Sequence, residues 1–378
     1  SVESGEAVVL TGANGAGKST LLEAAAGLLP LENGQIEHEN IVVRDHEGRT
    51  KSSPLALGLT LQKNGMMGSE VLVEHLQCAM SMSGRSVDIS PFLKAFGLTH
   101  RANDLIAHLS QGQARKVAVL AGLLPAFASE HPSLVMLDEP DAGLDDASIE
   151  ALGGLLNELR CMGHGLLIAT HDERIMAHAT HHFEVGQEKK TTGIIPEGIN
   201  AERRQSKSAK RTSSGAFGIR MHLRTLMWLN ANAIAGLLTL GILLSFGDFM
   251  GNLNQMQRLG FALAPVLAVA LCGEPLVVAT REERSGDWWR AVWGRAPHAS
   301  WLPLMIGLVF TLLSVTALGE ALNATTVVAG TLLCFSVWHA VGWMQRSTQR
   351  LARPQAVFIG LLTPVLILPF SLLVSLLS

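Results

Sequence analysis

Two acidic residues, Asp138 and Glu139, directly follow the apolar run Leu134 to Leu137 and precede a proline. Carboxylates at the end of a buried strand are costly unless a cation or a proton occupies them. Asp138 is suited to the coordination shell of Mg²⁺, and Glu139 is suited to polarise an attacking water molecule as a general base. The pair therefore predicts metal-assisted hydrolysis.

A glycine-rich loop supplies a phosphate site to match. Residues Gly12 to Thr20 read GANGAGKST, which fits the template of two spaced glycines followed by Lys and Ser or Thr. The glycines allow the backbone N–H groups to point at phosphate oxygens, Lys18 would reach the outer phosphates, and Ser19 would offer its hydroxyl to Mg²⁺. A glycine turn without any ligand is the alternative. The residues that we expect to bind nucleotide here are Gly12, Asn14, Gly15, Gly17, Lys18, Ser19 and Thr20.

Apolar runs predict the strands that position these groups. Glu6 to Thr11 precedes the loop, and Leu21 to Leu29 follows it as an Ala/Leu-rich helix. Two further predicted strands end in polar residues. Leu57 to Leu61 delivers Gln62, and Gly165 to Thr170 delivers His171. A lone strand-end histidine is most often structural, but its position after the carboxylates favours a site role.

A second anion-binding turn is predicted at residues 109–113, LSQGQ. The helix former Ala114 to Leu124 follows, so Ser110 and Gly112 fall in the first turn of a helix, where anions bind. A plain serine N-cap explains the same residues equally well. Asp145 is placed at the start of a helix over Asp146 to Leu159.

Taken in order, these motifs resemble the Walker A, Q-loop, signature, Walker B, D-loop and H-loop of an ABC-transporter nucleotide-binding domain. They are Gly12 to Thr20, Gln62, Leu109 to Gln113, Leu134 to Pro140, Ala142 to Asp145 and His171. The resemblance implies an α/β P-loop NTPase domain, ATP and Mg²⁺ as cofactors, and catalytic roles for Glu139, His171 and Gln62. It implies Mg²⁺ ligands at Ser19, Gln62 and Asp138, and nucleotide contacts from Ser110, Gly112, Gln113 and Asp145.

Two features depart from the family pattern. Gln111 stands where a glycine is commonest in the signature, which is a tolerated variation. The aromatic residue that usually stacks on adenine upstream of the loop is absent from this sequence. We expect the chain to begin inside a domain with an upstream strand missing, which accounts for that absence more simply than a lost contact.

Bulk composition predicts two domains of different character. The 378 residues exceed one average domain, and the 48% hydrophobic content is concentrated after about Leu226. The net charge of −3 and the lack of a dense basic stripe in the first half argue against a nucleic-acid partner. Cysteines without metal-ligand or redox spacing suit a reducing compartment. We expect an ABC ATP-binding domain at 1–187, a basic flexible linker at 188–217 and an all-α polytopic transmembrane domain at 218–378.

Apolar segments in the second half are each near the roughly 20 residues that cross a bilayer. The candidates number about five: Leu226 to Phe246, Leu259 to Thr280, Trp301 to Leu318, Thr325 to Trp343 and Ala356 to Leu377. If the linker is cytoplasmic, the inside loops carry most of the arginines, and the outside loops carry only Arg258. This predicts a multi-pass protein of the inner or plasma membrane with a cytoplasmic ATPase domain. A sixth span is left open.

The segment Arg281 to His298 is charged, amphipathic and rich in tryptophan. It fits either an interfacial aromatic belt or a short helix that lies under the bilayer against the ATPase domain. A haem- or ligand-contacting tryptophan cluster near His298 is a third reading. Glu274 and His339 fall inside predicted spans and are polar enough to mark a pathway or a partner contact.

The membrane half resembles, less specifically, the permease CcmB of the haem-handling transporter of cytochrome c maturation, and the ATPase half would then resemble CcmA. The residues involved are His222 to Arg224, Arg281 to Trp289 and the Pro-rich stretch LLTPVLILPFSLLV. The resemblance implies an ATP-hydrolysing transporter of the exporter type, with a role in haem export and cytochrome c maturation. Membrane lipid, haem and cytochrome c maturation proteins are the expected partners.

Other functions stay open at this point. They are an ABC-2-type exporter of lipid, glycan or drug, and a membrane-anchored ATPase that remodels a partner complex without moving a solute. A signature turn cannot reach the phosphate loop of its own domain. We therefore expect Ser110 and Gly112 of one copy to close on ATP held by Lys18 of a second copy, in a homodimer or with a related half-transporter.

Overall fold

The computed structural model describes residues 1–186, 189–193, 204–245 and 255–347, and these fall into two compact units. Unit 1 contains Ser1–Ser214 together with Glu282–Ala296, and unit 2 contains the described parts of Gly215–Arg281 and Pro297–Ser378. We call residues 282–296 the tryptophan segment. It follows the first predicted span pair in the sequence, yet it belongs to the same unit as the phosphate loop.

The described strands and helices agree in kind with the predicted ones. The strands are β1 Ala7–Thr11, β2 Gln35–His38, β3 Ile41–Asp45, β4 Leu57–Thr60, β5 Arg85–Ser86, β6 Leu134–Asp138, β7 Gly165–Ala169, β8 His181–Glu184, β9 Lys189–Thr192 and β10 Lys207–Ser208. The helices of unit 1 are α1 Lys18–Ala25, α2 Leu72–Met80, α3 Ser90–Ala95, α4 Gln111–Ala128, α5 Asp146–Cys161 and α6 Glu173–Met176, with Ser285–Trp293 in the tryptophan segment.

A six-stranded sheet organises unit 1, in the order β4-β6-β7-β1-β8-β9. The first five strands are parallel, and β9 runs antiparallel to β8. The central strands are buried along their length, as expected for a sheet covered on both faces. The carboxyl ends of β4, β6, β7 and β1 meet at one edge, so the predicted strand-end residues converge there. This confirms the predicted α/β P-loop fold.

The helix after the phosphate loop begins earlier than predicted. We placed its start at Leu21, but α1 begins at Lys18, because Gly17 adopts a left-handed conformation (φ 99°) and serves as its N-cap. Lys18 and Ser19 therefore belong to the first helical turn. The predicted helices after Ser110 and Asp145 are present as α4 and α5, each capped by that residue.

The described residues of the predicted linker up to Ser214 belong to unit 1. Lys189–Thr192 form β9, and Lys207–Ser208 pair antiparallel with Arg85–Ser86. Arg204 donates to both carboxylate oxygens of Glu158 on α5, at 3.0 and 2.9 Å. Residues 188 and 194–203 of the linker lie outside the described residues.

The regular secondary structure in the described part of unit 2 is helical. Its helices are α7 Ser214–Thr225, α8 Ile234–Ser245, α9 Gln255–Ala262, α10 Ala264–Leu271, α11 Pro275–Ala279, α13 Leu302–Ala317 and α14 Ala324–Ser347, with α12 denoting Ser285–Trp293 of unit 1. Its apolar core includes Val266, Val269, Phe310 and Trp338.

Two described stretches, Gln257–Ala279 and Ala324–Arg346, are long and apolar enough to cross a membrane. The pair Ser214–Thr225 and Leu229–Ser245 is bent by 58° and would make a third if it acts as one span. Leu302–Ala317 is apolar but shorter. The last predicted span, Ala356 to Leu377, lies outside the described residues. The count of five spans stays a prediction.

Candidate functional site

The phosphate loop links β1 to α1 in a conformation that glycine permits. Gly12 and Gly17 have φ of 135° and 99°, and a Cβ on Gly12 would lie 3.2 Å from the carbonyl oxygen of Val185. The ammonium of Lys18 donates to the carbonyl oxygens of Gly12, at 2.9 Å, and Ala13, at 3.1 Å. Lys18 is buried and points into the hollow of its own loop, where a phosphate group would meet it.

Ser19 and Asp138 form the centre of the site. The Ser19 hydroxyl donates to Oδ1 of Asp138 at 3.0 Å, although the two residues come from different elements, α1 and β6. Asp138 is fully buried, and within the described part of the chain its Oδ2 accepts no hydrogen bond. Burial raises the pKa of this carboxyl, and the hydrogen bond from Ser19 opposes that rise. A buried carboxylate oxygen left unbonded beside a hydroxyl fits a small, hard cation such as Mg²⁺.

Glu139 stands next to this carboxylate in a strained backbone conformation. Its φ of 46° is left-handed, which is unfavourable for a residue with a Cβ. A 2.7 Å hydrogen bond from its N–H to the carbonyl oxygen of Ala169 on β7 holds it there. This left-handed residue turns the chain sharply at the end of β6. The Glu139 side chain stays partly accessible, as a base that activates water requires.

Arg115 is a site residue that the sequence analysis missed. Its buried guanidinium donates to the carbonyl oxygens of Leu61 and Gln62, at 2.7 and 3.4 Å. It also donates to those of Asp138 and Glu139, at 2.6 and 2.7 Å. Burial lowers the pKa of Arg115, and the nearby carboxylates oppose this. An arginine within the apolar helix after Ser110 was the available signal, because a charge on a buried helix face needs partners.

The end of β7 contributes Thr170 and His171. Thr170 is fully buried, and its hydroxyl donates to Oδ1 of Asp141, which fixes the turn after Glu139 against β7. His171 follows directly and is exposed, as is the side chain of Gln62 at the end of β4. The sheet thus brings the phosphate loop, both carboxylates, Gln62 and His171 to one edge.

The signature residues occupy a different place. Ser110 caps α4 in a capping box: Gln113 N–H donates to its hydroxyl at 3.2 Å, and Ser110 N–H donates to the Gln113 side chain at 3.0 Å. Both side chains are therefore engaged in the cap. Among the described residues, neither makes a hydrogen bond to the phosphate loop. Gly112 lies beside Gly143: a Cβ added to Gly112 would be 3.0 Å from the carbonyl oxygen of Gly143.

Asp145 is fixed by two partners. Ser148 N–H donates to its Oδ1 at 2.9 Å, and Lys116 of α4 donates to its Oδ2 at 2.6 Å. The hydrogen bond from Lys116 is the main cause that lowers the pKa of Asp145 to about 2. The lysine ties the helix that Ser110 caps to the helix that Asp145 caps.

The tryptophan segment packs on β4 and on the chain that follows Gln62. Trp288 is buried, donates from Nε1 to the carbonyl oxygen of Leu59 at 3.0 Å, and lies with its ring 4.9 Å from that of His75. A Cβ on Gly65 would approach Cβ of Trp288 to 3.0 Å. Trp289 is fully buried. These burials favour a helix held against the ATPase fold over an aromatic belt or a ligand-contacting cluster.

Unit 2 contains a buried polar group around Glu274. Its Oε1 bonds to Nε2 of His222 at 2.7 Å, and its Oε2 accepts from the indole of Trp338 at 3.3 Å. Both Glu274 and His222 are buried. His339, predicted with Glu274 as a pathway residue, lies apart: it is half-buried, and its Nε2 bonds to the carbonyl oxygen of Ser300 at 3.0 Å.

Comparison with known proteins agrees with this geometry. The family described as "ABC transporter" matches residues 1–142. The cytochrome c biogenesis ATP-binding export protein CcmA of Mesorhizobium japonicum is 36% identical over 169 residues, which cover 44% of this chain and 79% of that protein. The chain belongs to the ABC transporter family, and its first unit is an ABC ATPase domain.

Other relatives carry different functions. The aliphatic sulfonates import ATP-binding protein SsuB 2 of Paraburkholderia xenovorans is 36% identical over 175 residues, or 45% of this chain. The chain spans only 62% of the length of that relative. A solved structure described as the ATP binding subunit of an ABC transporter has 26% sequence identity and a TM-score of 0.43. The match covers 50% of this chain and 80% of the chain in that structure.

Proposed function

We propose that this chain hydrolyses ATP at the edge of the unit 1 sheet and uses the closure of two such sites to move its membrane unit. The observation that carries the proposal is the 3.0 Å bond from Ser19 to the buried Asp138, whose second carboxylate oxygen has no hydrogen bond in the described part of the chain. Glu139 lies beside it and the Lys18 ammonium lies in the loop. These are the parts of a phosphoryl-transfer site.

Each residue has a distinct role. Ser19 and Asp138 would hold Mg²⁺, with Gln62 as a third ligand, and the ion when bound neutralises charge on the phosphate oxygens. Lys18 exchanges its bonds to loop carbonyls for bonds to the outer phosphates. Glu139 accepts a proton from the water that attacks the terminal phosphorus. His171, at the end of the neighbouring strand, contacts the terminal phosphate.

We further propose that the active form contains two ATPase units. Ser110, Gly112 and Gln113 lie at the amino end of α4 and make no hydrogen bond to their own phosphate loop in the described part of the chain. The N-terminus of this 18-residue helix favours a phosphate from another source. A second copy of this chain, or a related half-transporter, would supply the ATP on which they close, with Asp145 at the junction.

The membrane unit and the tryptophan segment would carry the output. We propose an exporter-type, multi-pass protein of the inner or plasma membrane with a cytoplasmic ATPase domain and surrounding lipid as partner. Motion at Gln62 would pass to the segment Arg281 to His298 through the contacts of Trp288. The two apolar stretches of spanning length support a membrane location.

The cargo is the least constrained part of the proposal. The similarity to a cytochrome c biogenesis export protein supports a role in haem export with cytochrome c maturation proteins as partners. The sequence resemblance of the membrane half to CcmB points the same way. An ABC-2-type exporter of lipid, glycan or drug is the second candidate, because the relatives include proteins named for other solutes.

Reconstituted vesicles test the function. The full chain in sealed vesicles should hydrolyse ATP in the presence of Mg²⁺, with a rate that rises more steeply than linearly with protein density if two copies are required. The cargo would be identified by measuring whether haem or a fluorescent lipid moves, when ATP is added, from the side of the membrane that holds ATP to the other side. An ATPase rate that does not exceed that of vesicles without protein would contradict the proposal.

A further inference from the structure

The tryptophan segment begins with a strained turn. Glu283 and Arg284 are consecutive non-glycine residues in the left-handed region, with φ of 46° and 60°. Such a conformation is unfavourable for each of them and persists only where surrounding contacts fix it. The turn therefore marks a place where the segment is held in one required geometry.

One set of contacts fixes the turn to the chain after Gln62. The N–H of Asn64 donates to the Glu283 carboxylate at 3.1 Å, and the N–H of Gly65 donates to the Glu283 carbonyl oxygen at 2.8 Å. The N–H of Gly68 donates to the Glu282 carboxylate at 3.2 Å. These bonds form the expected connection between the segment and the loop that carries Gln62.

A second set of contacts reaches the nucleotide site by another route. Both terminal nitrogens of Arg284 donate to the two carboxylate oxygens of Glu23, the longer bond being 2.9 Å. The Arg284 Nε donates to Asp287 at 2.9 Å, which orients the guanidinium. Glu23 is buried and the Arg284 side chain is 34% exposed, so solvent screens this fork-shaped pair only in part.

Glu23 lies on the helix that carries the phosphate-binding residues. It stands four positions after Ser19 in α1, which places the two side chains on the same face of a short, rigid helix. Ser19 in turn bonds to Asp138. A displacement of Arg284 is thus transmitted to Ser19 and Lys18 through one helix, without passing through Gln62.

We propose that Arg284 is a positioning residue that, through Glu23, holds the phosphate-binding helix in its nucleotide-binding orientation. The tryptophan segment is then joined to the nucleotide site by two routes, the amides after Gln62 and the helix α1. The inference rests on the proposed function of ATP binding and hydrolysis. It adds a direct link between the segment and phosphate recognition.

The test compares charge substitutions in the full chain in vesicles, with the KM for ATP and kcat measured separately. Arg284→Gln should raise the KM for ATP about tenfold, because α1 loses its restraint. The charge swap E23R/R284E should recover most of that loss. Arg290→Gln is the matched control, since Arg290 pairs with Asp287 on the same helix and the ion pair to Glu23 is made by Arg284. The KM of this control should stay within about twofold of the wild type.

The inference is overturned if Arg284→Gln and Arg290→Gln change the KM equally, or if Arg284→Gln leaves the KM unchanged. It is also overturned if the swap behaves no better than the single substitutions. If the swapped chain does not fold, Glu23→Gln replaces it in the comparison. ATP should then raise the melting temperature of both Glu23→Gln and Arg284→Gln by less than it raises that of the wild type. A wild-type chain that does not bind ATP would instead contradict the proposed function itself.

Discussion

The Arg115 guanidinium donates a 2.6 Å hydrogen bond to the main-chain carbonyl oxygen of Asp138. The same side chain donates to the carbonyl oxygen of Leu61 at 2.7 Å, so one buried cation joins the ends of β4 and β6. This bond network sets the spacing between Gln62 and the two carboxylates. The geometry of the hydrolytic site depends on a residue that need not touch the nucleotide.

We expect Arg115→Met to lower kcat about 100-fold and to reduce the free energy of unfolding by about 2 kcal/mol or more. Buried carbonyl oxygens would lose their donor, and the strand ends would shift. Arg115→Lys should recover only part of kcat, because an ammonium cannot serve four carbonyl oxygens in two directions. Steady-state kinetics and chemical denaturation measure the two effects.

Arg101→Gln provides the control for this substitution. Arg101 pairs with Asp104 in a partly exposed i,i+3 contact, which contributes at most about 1 kcal/mol. Equal losses of kcat in Arg115→Met and Arg101→Gln would refute the positioning role of Arg115.

The pKa of Asp138 predicts an unusual pH dependence. Burial raises this pKa, so the folded state binds the carboxyl proton more firmly than the unfolded chain does. The folded state therefore becomes more stable as the pH falls from the Asp138 pKa of the folded protein to that of the unfolded chain. Above the folded-state pKa, the full cost of burying the charged carboxylate is present. We expect Asp138→Asn to raise the melting temperature at neutral pH without Mg²⁺ and nucleotide, and to abolish stabilisation by Mg²⁺ with ATP.

Asp172→Asn should behave in the opposite way. The hydrogen bond from Arg174 lowers the pKa of Asp172, so this carboxylate stabilises the fold above its unfolded pKa and loses that contribution in acid. Its replacement should lower stability slightly, by less than about 1 kcal/mol. A common direction of change in the two variants, measured by thermal unfolding against pH, would refute the account of Asp138.

Gly65 tests the packing of the tryptophan segment. Its φ is 72°, and an added Cβ would lie 3.0 Å from Cβ of Trp288. Gly97 has a similar φ of 66° but open space around it. We expect Gly65→Ala to destabilise unit 1 by about 1–2 kcal/mol more than Gly97→Ala, because only the former meets a neighbour. Equal effects in denaturation experiments would show that the contact with Trp288 is absent in solution.

The buried pair of Glu274 and His222 predicts a stability effect in unit 2. Removing one partner leaves a buried polar group unpaired, which costs about 3–5 kcal/mol. Glu274→Leu should therefore lower the melting temperature in detergent strongly, and His222→Leu in the same chain should restore part of the loss. His339→Leu, at a half-buried position outside this pair, serves as control and should have a smaller effect. No coupling between the first two substitutions would contradict the pairing.

Local sequence patterns predicted most of the strands and helix starts that surround the candidate nucleotide site. The glycine loop, the apolar runs before Gln62 and Asp138, and the helix starts after Ser110 and Asp145 all follow from short-range rules of chain geometry. The parallel sheet then brings these strand ends together. Both bounds of α1 were misplaced: the predicted helix ran from Leu21 to Leu29, but the left-handed Gly17 starts it at Lys18, and it ends at Ala25.

Long-range pairings could not be predicted in the same way. Arg115 bonds to chain segments 54 and 23 positions away, and Arg284 bonds to Glu23 across 261 positions. The spacing of apolar and polar residues along the chain does not indicate such distant partners. The tryptophan segment was recognised by its composition, but its burial against β4 depends on Gly65 and on the carbonyl oxygen of Leu59, which carry no sequence signal of their own.

Glu139→Gln in the full chain gives the most direct test of the central claim, with ATP binding and phosphate release measured on the same sample. The account predicts that the variant binds ATP with an affinity close to that of the wild type, while turnover falls by about 100-fold or more. The amide keeps the size of the side chain but cannot accept the proton of the attacking water. Turnover at the wild-type rate would contradict the assignment of Glu139 and the proposed hydrolytic site.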